Sequence, residues 1–368
     1  MRLALRLARR GRGLTSPNPM VGAVLVKAGK IIGRGWHHQA GCPHAEIEAI
    51  RDAQQQGHPA RGATLYVTLE PCCTHGRTPP CTDAIIAAGI KKVIIGATDP
   101  NPRHAGRGFK ILRRAGVMIT HGVLADECAQ LNEAFNHWIV HGTPLVTVKA
   151  AMTLDGKIAT AAGDSKWITG EKARAHGMTL RAANDAILVG INTVLADDPS
   201  LTYRKRKAKS EKRKIEKKQL RRIILDSQAR TPLTAKVVSD EFAALTTIVV
   251  GKSAPMSRTR ALARKANMLT APTAQSAIDL SWLLKRLGSQ GVTSLLVEGG
   301  GEVNASFLLG GLAQRIAFFY APKILGGRNA RKAVAGAGVL RLADALRLRD
   351  VQWRRLGPDL LLTATVAQ

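Results

Sequence analysis

The sequence is poor in cysteine and in acid, and it has no long apolar run. Five cysteines in 368 residues are too few for the disulfide framework that staples small secreted folds. No apolar stretch nears the roughly 20 residues of a membrane-spanning helix, so no membrane partner is expected. Acidic residues number 26 against 55 Lys and Arg, a formal net charge of +29. The fingerprint G-x-G-x-x-G is missing, which excludes a standard Rossmann motif. What the chain does have is length for two domains and a 45% hydrophobic composition with which to fill their cores.

The opening MRLALRLARRGRG is Arg-rich and acid-free, as a transit peptide would be. Leu3 with Leu7, and Ala4 with Ala8, recur at helical spacing, and a first amphipathic helix is the better reading. A reducing, cytoplasmic compartment then follows. There, the three cysteines of TLEPCCTHGRTPPC (68–81) read as metal ligands rather than as a disulfide.

A catalytic zinc needs three protein ligands, one open position and a nearby acid/base. The segment GCPHAEIEAIRDA (41–53) places Pro43 at the first position of a helix. His44 can ligate from that helix, and Glu46 can sit over the open position. LYVTLEP reads as a strand running into Cys72, and Cys81 opens a second helix, whose N-terminus favours a thiolate. His44, Cys72 and Cys81 are therefore the expected zinc ligands, with Glu46 as proton carrier. Cys73 is expected to be a packed neighbour, and Cys42 and Cys128 plain core or surface residues. This order of residues matches the nucleobase-deaminase signature, except that eight residues rather than two separate the cysteines.

Five motifs stand in order: S-P-N-P (16–19), V-G-A-V-L-V (21–26), H-A-E (44–46), E-P-C-C-T-H-G-R-T-P-P-C (70–81) and D-P-N-P (99–102). Together they resemble the bifunctional riboflavin-biosynthesis deaminase/reductase family, and the resemblance extends over nearly the whole chain. It implies a cytidine-deaminase-like α/β/α sandwich followed by a dihydrofolate-reductase-like α/β domain. Strands at 21–27, 30–36, 64–69 and 91–97, with helices at 44–56 and 81–89, agree with the first half. The implied first substrate is a small phosphorylated pyrimidine, 2,5-diamino-6-(5-phosphoribosylamino)pyrimidin-4(3H)-one. Asn18 and His75 stand where family members contact its ring or phosphate. The bland readings are a turn-forming Asn-Pro and a solvated histidine.

HGTPLVTVKAAMTLDGKIA starts a new unit near residue 143. V-K-A-A-M-T-L-D-G-K (148–157), S-K-W-I-T-G (165–170) and N-T-V-L-A-D-D-P-S-L-T (192–202) resemble the family's reductase half, which uses NADPH. VEGGGEVNAS gives a strand, three glycines and a helix starting near Glu302, a turn whose amides can cradle phosphate. The resemblance puts Ala151, Trp167, Thr193, Asp197, Ser227, Gly300, Gly301, Glu302, Val303, Asn304, Ala305 and Ser306 against the cofactor. It puts Ser165, Arg181, Leu201, Arg204 and Glu298 against the substrate. An arginine pair suits a bidentate grip on a sugar phosphate. Trp167 offers a flat face or fills core. Lys149 is a candidate catalytic group, with a salt bridge as the plainer role.

The charge is not explained by the family. Residues 204–222 hold 12 basic and 2 acidic side chains. Without aromatics or an apolar stripe, the run reads as a solvated insertion, with weak nonspecific polyanion binding as the other role. A nucleic-acid deaminase with a basic RNA-binding domain is the alternative function. A basic protein keeping a structural zinc is a second one, which would leave Glu46 without a job. A homo-oligomer and the absence of a specific nucleic-acid partner complete the expectations.

Overall fold

The computed structural model describes residues 1–75, 79–203, 220–274 and 277–367. The chain divides into two compact units, Met1–Thr143 and Pro144–Gln368.

The first unit runs α1 (Arg2–Ala8), β1 (Gly22–Lys27), β2 (Lys30–Trp36), α2 (Ala45–Gln55), β3 (Thr64–Leu69), α3 (Cys81–Ala87), β4 (Lys92–Ala97), α4 (Arg107–Arg114), β5 (Met118–Thr120), α5 (Ala125–Leu131) and α6 (Glu133–His141). The strands form one sheet in the order β2-β1-β3-β4-β5. Alternation sends each strand's residues to opposite faces. Ala23, Leu25, Leu65 and Val67 pack with Ala45, Ala49 and Ala53 of α2 on one side. Val24, Trp36 and Tyr66 pack with Ala4 and Leu7 of α1 on the other. The expected three-layer α/β/α sandwich is therefore present.

Two glycines let the helices lie so close. A Cβ on Gly35 would run into Ala45 O and Ala49 N of α2, and one on Gly22 into Ala4 O and Ala8 N of α1. The amphipathic reading of the N-terminus also holds: Ala4, Leu5, Leu7 and Ala8 of α1 are all buried. The region after residue 98, for which the sequence offered a motif but no elements, supplies α4, β5, α5 and α6.

The second unit runs β6 (Leu145–Thr153), β7 (Lys157–Ala159), α7 (Glu171–Ala183), β8 (Ala186–Gly190), α8 (Ile191–Asp197), β9 (Arg221–Leu225), α9 (Lys236–Ser239), β10 (Thr246–Gly251), α10 (Met256–Ala263), β11 (Asn267–Ala271), β12 (Thr273–Ala274), β13 (Ala277–Ile278), α11 (Leu280–Ser289), β14 (Ser294–Val297), α12 (Gly301–Leu309), β15 (Arg315–Ala321), β16 (Arg331–Lys332), β17 (Leu348–Leu356) and β18 (Asp359–Val366). Nine strands make one sheet, β11-β10-β9-β8-β14-β6-β15-β18-β17. It is parallel from β11 to β15, and β18 and β17 close it antiparallel. Its interior strands are covered on both faces, as parallel strands must be. In β8, Ala186 and Leu188 enter one core while Ile187 and Val189 enter the other. This is the α/β architecture expected for the reductase half.

A Gly35→Ala chain tests the close approach. The methyl group must push α2, and with it His44 and Glu46, off the sheet; overpacking of this kind costs about 1–3 kcal/mol. Thermal unfolding should show a lower midpoint for the first unit, with less zinc retained. An unchanged midpoint and full zinc content would contradict the packing.

Candidate active sites

In the first unit, three elements converge on one point. His44 is the N-cap of α2, Cys72 lies in the turn after β3, and Cys81 is the first residue of α3. Pro43 precedes the cap instead of opening the helix, and its carbonyl lies 3.1 Å from His37 Nδ1. His44 Nδ1 lies 3.3 Å from Cys81 Sγ and 3.4 Å from Cys72 Sγ. All three potential ligand atoms lie within 4.8 Å of one another. The amide of Cys81 donates to Cys72 Sγ at 3.3 Å, so the start of α3 points at that sulfur.

The electrostatics fit a dication. Hydrogen bonding from Cys81, helped by His44, holds the Cys72 thiol at about 4 against the burial that opposes it. Cys81 is driven far the other way by its bond to Cys72 and by burial. One sulfur thus takes the negative charge and forbids it to the other. A bound cation removes that conflict, because metal ligation requires both thiolates.

Glu46 is the second residue of α2, 3% exposed, and its Oε2 has no hydrogen-bond partner among the described residues. Burial pushes its carboxyl up to about 7. It lines a cavity of about 360 Å³ together with His44, Cys72, Asn18, His37 and Asn101. Asn18 is thus at the site, whereas His75 is exposed and does not line the cavity. Cys73 is half-buried with its thiol 3.5 Å from His104 Nδ1. Cys128 is fully buried, as a plain core residue, but Cys42 lines the cavity.

In the second unit, Glu298 is the hub. It directly follows β14, and the Val148–Val297 register puts it beside Lys149 of β6. Arg181 of α7 grips it twice, Nε to Oε1 and Nη2 to Oε2, both at 2.9 Å. Lys149 Nζ lies 3.5 Å from Oε2. Burial pushes the Glu298 carboxyl up, but the Lys149 and Arg181 cations outweigh it and hold the group at about 2. The salt bridge foreseen for Lys149 is therefore present; an ammonium has three donors, so others remain for a ligand. Arg181 spends its fork on Glu298 and donates from Nη1 to Thr202 O at 3.1 Å, which ties down the neighbouring loop. Arg204 lies outside the described residues, as do residues 205–219 of the basic run, so the arginine pair is represented by Arg181 alone.

Other expected contacts divide. Trp167 is 65% exposed with the Arg174 guanidinium 4.8 Å from its ring centre, so it is not core filler. Ser165 Oγ donates to Asp197 Oδ1 at 3.3 Å. Thr193 and Asp197 are half-buried on α8, and Ser227 is half-buried in the loop after β9. Ala151 packs beside the Ala173, Ala317 and Phe319 core. Leu201 is 3% exposed and packs its side chain with Ile187 and Leu220, so it is its backbone that remains to face a ligand.

The Gly300–Ser306 stretch also divides. The helix α12 begins at Gly301 with Gly300 as its cap and no side-chain cap bond, one residue before the expected start. A Cβ on Gly300 would meet nothing within 4 Å, so there is room for a phosphate against the helix start. Glu302 and Ser306 are exposed and Val303 is half-buried. Asn304 and Ala305 turn inward, at 0% and 4% exposure, because successive helical residues rotate away from any one face. Asn304 Nδ2 donates to Ala333 O at 2.8 Å.

Comparison with known proteins decides what these sites belong to. Residues 1–97 match the family model for the cytidine and deoxycytidylate deaminase zinc-binding region, and residues 144–362 match the RibD C-terminal domain. The riboflavin biosynthesis protein RibD of Actinobacillus pleuropneumoniae is 44% identical over all of this chain and 94% of its own. The chain belongs to the RibD family. The Escherichia coli (strain K12) member is 41% identical, over 98% of this chain and 97% of its own. The fold of Acinetobacter baumannii RibD superposes with a TM-score of 0.87 at 37% identity, covering 100% of this chain and 98% of that one. The chain is thus a bifunctional deaminase and reductase of riboflavin biosynthesis. Its cofactors are zinc and NADPH.

Two residues at the deaminase site escaped the sequence reading. His37 is 2% exposed and burial lowers its pKa. Pro43 O can only accept, so Nδ1 carries the hydrogen and Nε2 accepts from Asn18 Nδ2 at 3.1 Å. That turns the Asn18 carbonyl away from His37. Asn132, 4% exposed, caps α6 and clamps the backbone of Met20 by both its groups: Met20 N donates to Oδ1 at 2.8 Å, and Nδ2 donates to Met20 O at 2.9 Å. The same α6 lines the cavity with Phe135, Trp138 and Ile139. Neither residue could be read as functional from an isolated His-His or Leu-Asn-Glu; their partners lie 19 and 112 positions away.

Asn132→Ala should raise the deamination KM about tenfold while kcat and zinc content hold, since two neutral hydrogen bonds are removed. A fall in kcat together with zinc loss would mean that the clamp supports the whole fold.

Proposed function

We propose that the first unit removes the amino group of 2,5-diamino-6-(5-phosphoribosylamino)pyrimidin-4(3H)-one. The second unit then reduces the ribosyl side chain, giving 5-amino-6-(5-phosphoribitylamino)uracil. A solved Thermotoga maritima relative, 35% identical with a TM-score of 0.81 over 100% of this chain, is described as a deaminase and reductase of such phosphoribosylamino compounds. The observation that carries the reading is the buried Glu46 carboxylate with one unpartnered oxygen, lining a cavity of about 360 Å³ beside His44, Cys72 and Cys81.

His44, Cys72 and Cys81 would hold the zinc, which when bound supplies a Lewis acid that lowers the pKa of water. Glu46 does the proton work. It takes a proton from the attacking water and returns it to the departing ammonia. Asn18, oriented by His37, offers its amide to the pyrimidine edge. In the second unit, bound NADPH supplies hydride. Lys149, poised by Glu298, offers a proton to the sugar oxygen as the ribose ring opens. Arg181 fixes Glu298 and the Thr202 loop rather than gripping the phosphate with its fork.

The cavity walls from α6 favour a free pyrimidine over a nucleic-acid strand. All five cysteines are free, which supports a reducing, cytoplasmic compartment; among the described residues no helix is long and apolar enough to cross a membrane. The outer strand β17 is exposed from Arg349 to Arg355, with Trp353 at 59%, and this free sheet edge supports a homo-oligomer.

Glu46→Gln keeps size and hydrogen bonding but cannot shuttle a proton. Ammonia release should fall by about 10²–10⁴-fold, while reduction of pre-deaminated substrate proceeds at the wild-type rate. Loss of both activities in folded protein would defeat the assignment of independent sites.

A further inference from the structure

Glu70 directly follows β3 and stands two residues before the ligand Cys72. Its side chain is 3% exposed. Among the described residues, its hydrogen bonds all come from three backbone amides. Oε2 accepts from Asp99 N at 3.2 Å and from Gly106 N at 2.9 Å, and Oε1 accepts from Gly108 N at 3.0 Å. A buried carboxylate is costly unless such donors satisfy it. The proton transfer assigned to Glu46 makes no use of this second buried glutamate.

All three amides belong to residues 99–108, a segment that walls the deaminase cavity with Asp99, Asn101 and His104. The chain reaches it from β4, which runs parallel to β3 with Leu69 opposite Ala97, and Glu70 N donates to Ala97 O at 2.9 Å. The wall is stiff in itself: Asn101 N donates to Asp99 Oδ1 at 2.9 Å, and Arg103 N to Asn101 Oδ1 at 3.0 Å. Glu70 takes hold of it at both ends. At the far end, Gly106 caps α4 with φ +83°, a left-handed conformation that favours glycine. A Cβ on Gly108 would run into Pro71 O. The start of α4 therefore lies directly on the turn that carries Cys72, and its free amides meet the anion they favour.

We infer that Glu70 is a positioning residue for deamination: it fixes the 99–106 wall relative to Cys72 and so sets how tightly the pyrimidine is held. The inference rests on deamination by the first unit and adds what joins the metal turn to the cavity wall. Three acceptor contacts from one side chain make turn and wall move together. Glutamine has the same size, but its amide would turn an NH₂ group toward a backbone N–H. No orientation of it satisfies all three donors.

The test compares full-length wild type, Glu70→Gln and Gly106→Ala. The second variant keeps Glu70 but strains the left-handed anchor of the wall. In both, the deamination KM should rise about tenfold or more, since hydrogen bonds to a charged group are lost. The kcat should stay within about threefold, zinc at about one per chain, and reduction by the second unit at the wild-type rate. Trypsin reads the wall directly, because Arg103 is exposed in it. Cleavage after Arg103, followed by mass spectrometry, should quicken in both variants. Unchanged KM and unchanged cleavage in Glu70→Gln overturn the inference. Zinc loss in proportion to a fall in kcat also overturns it, because Glu70 would then only prop the metal turn. If Glu70→Gln does not fold, the same readouts on Gly106→Ala decide. A wild-type chain that releases no ammonia from the proposed pyrimidine defeats that substrate reading, and the cleavage comparison then decides this one.

Discussion

Two sulfurs and an imidazole nitrogen within 4.8 Å of one another cannot all settle comfortably without a cation among them. The first unit is arranged around that requirement. The sheet delivers Cys72 at the end of β3, the start of α3 aims an amide at its sulfur, and Gly35 lets α2 lie close enough to bring His44 in as its cap. Glu46 is then buried in the first turn of the same helix, with an oxygen left for a reactant. Moving any of these elements by a side chain's width separates the ligands from the proton carrier.

The second unit solves a comparable problem without a metal. Glu298 is buried, which alone would favour its neutral form, yet Arg181 and Lys149 keep it ionised. A buried carboxylate paired this tightly is costly to break. It fixes Lys149, the α7 arginine and, through Thr202, the loop beyond α8 in one arrangement. The rigid network leaves ammonium donors free while holding their position.

Much of this was legible in the sequence because the chemistry sits in short local patterns. H-A-E and P-C place donors on predictable helix starts and strand ends, and β1 to β4 follow period-two alternation within a residue of expectation. What the sequence does not display has one cause, partners remote along the chain. Asn132 clamps Met20 across 112 positions, and the Leu201 side chain packs into a core made by β8 and Leu220, which its motif alone does not display. The Arg181–Glu298 pair joins residues 117 positions apart, so neither motif announces the other. Helical rotation likewise turns Asn304 and Ala305 inward, which a run of adjacent positions does not reveal.

The account stands on which sulfurs hold the zinc. Metal analysis of three full-length proteins settles it: wild type, Cys73→Ser and Cys81→Ser, each purified in parallel and checked for folding. About one zinc per chain is expected in wild type and in Cys73→Ser, with most of it lost from Cys81→Ser. Full zinc in Cys81→Ser alongside depletion in Cys73→Ser would move the site to the other thiol and contradict the arrangement described.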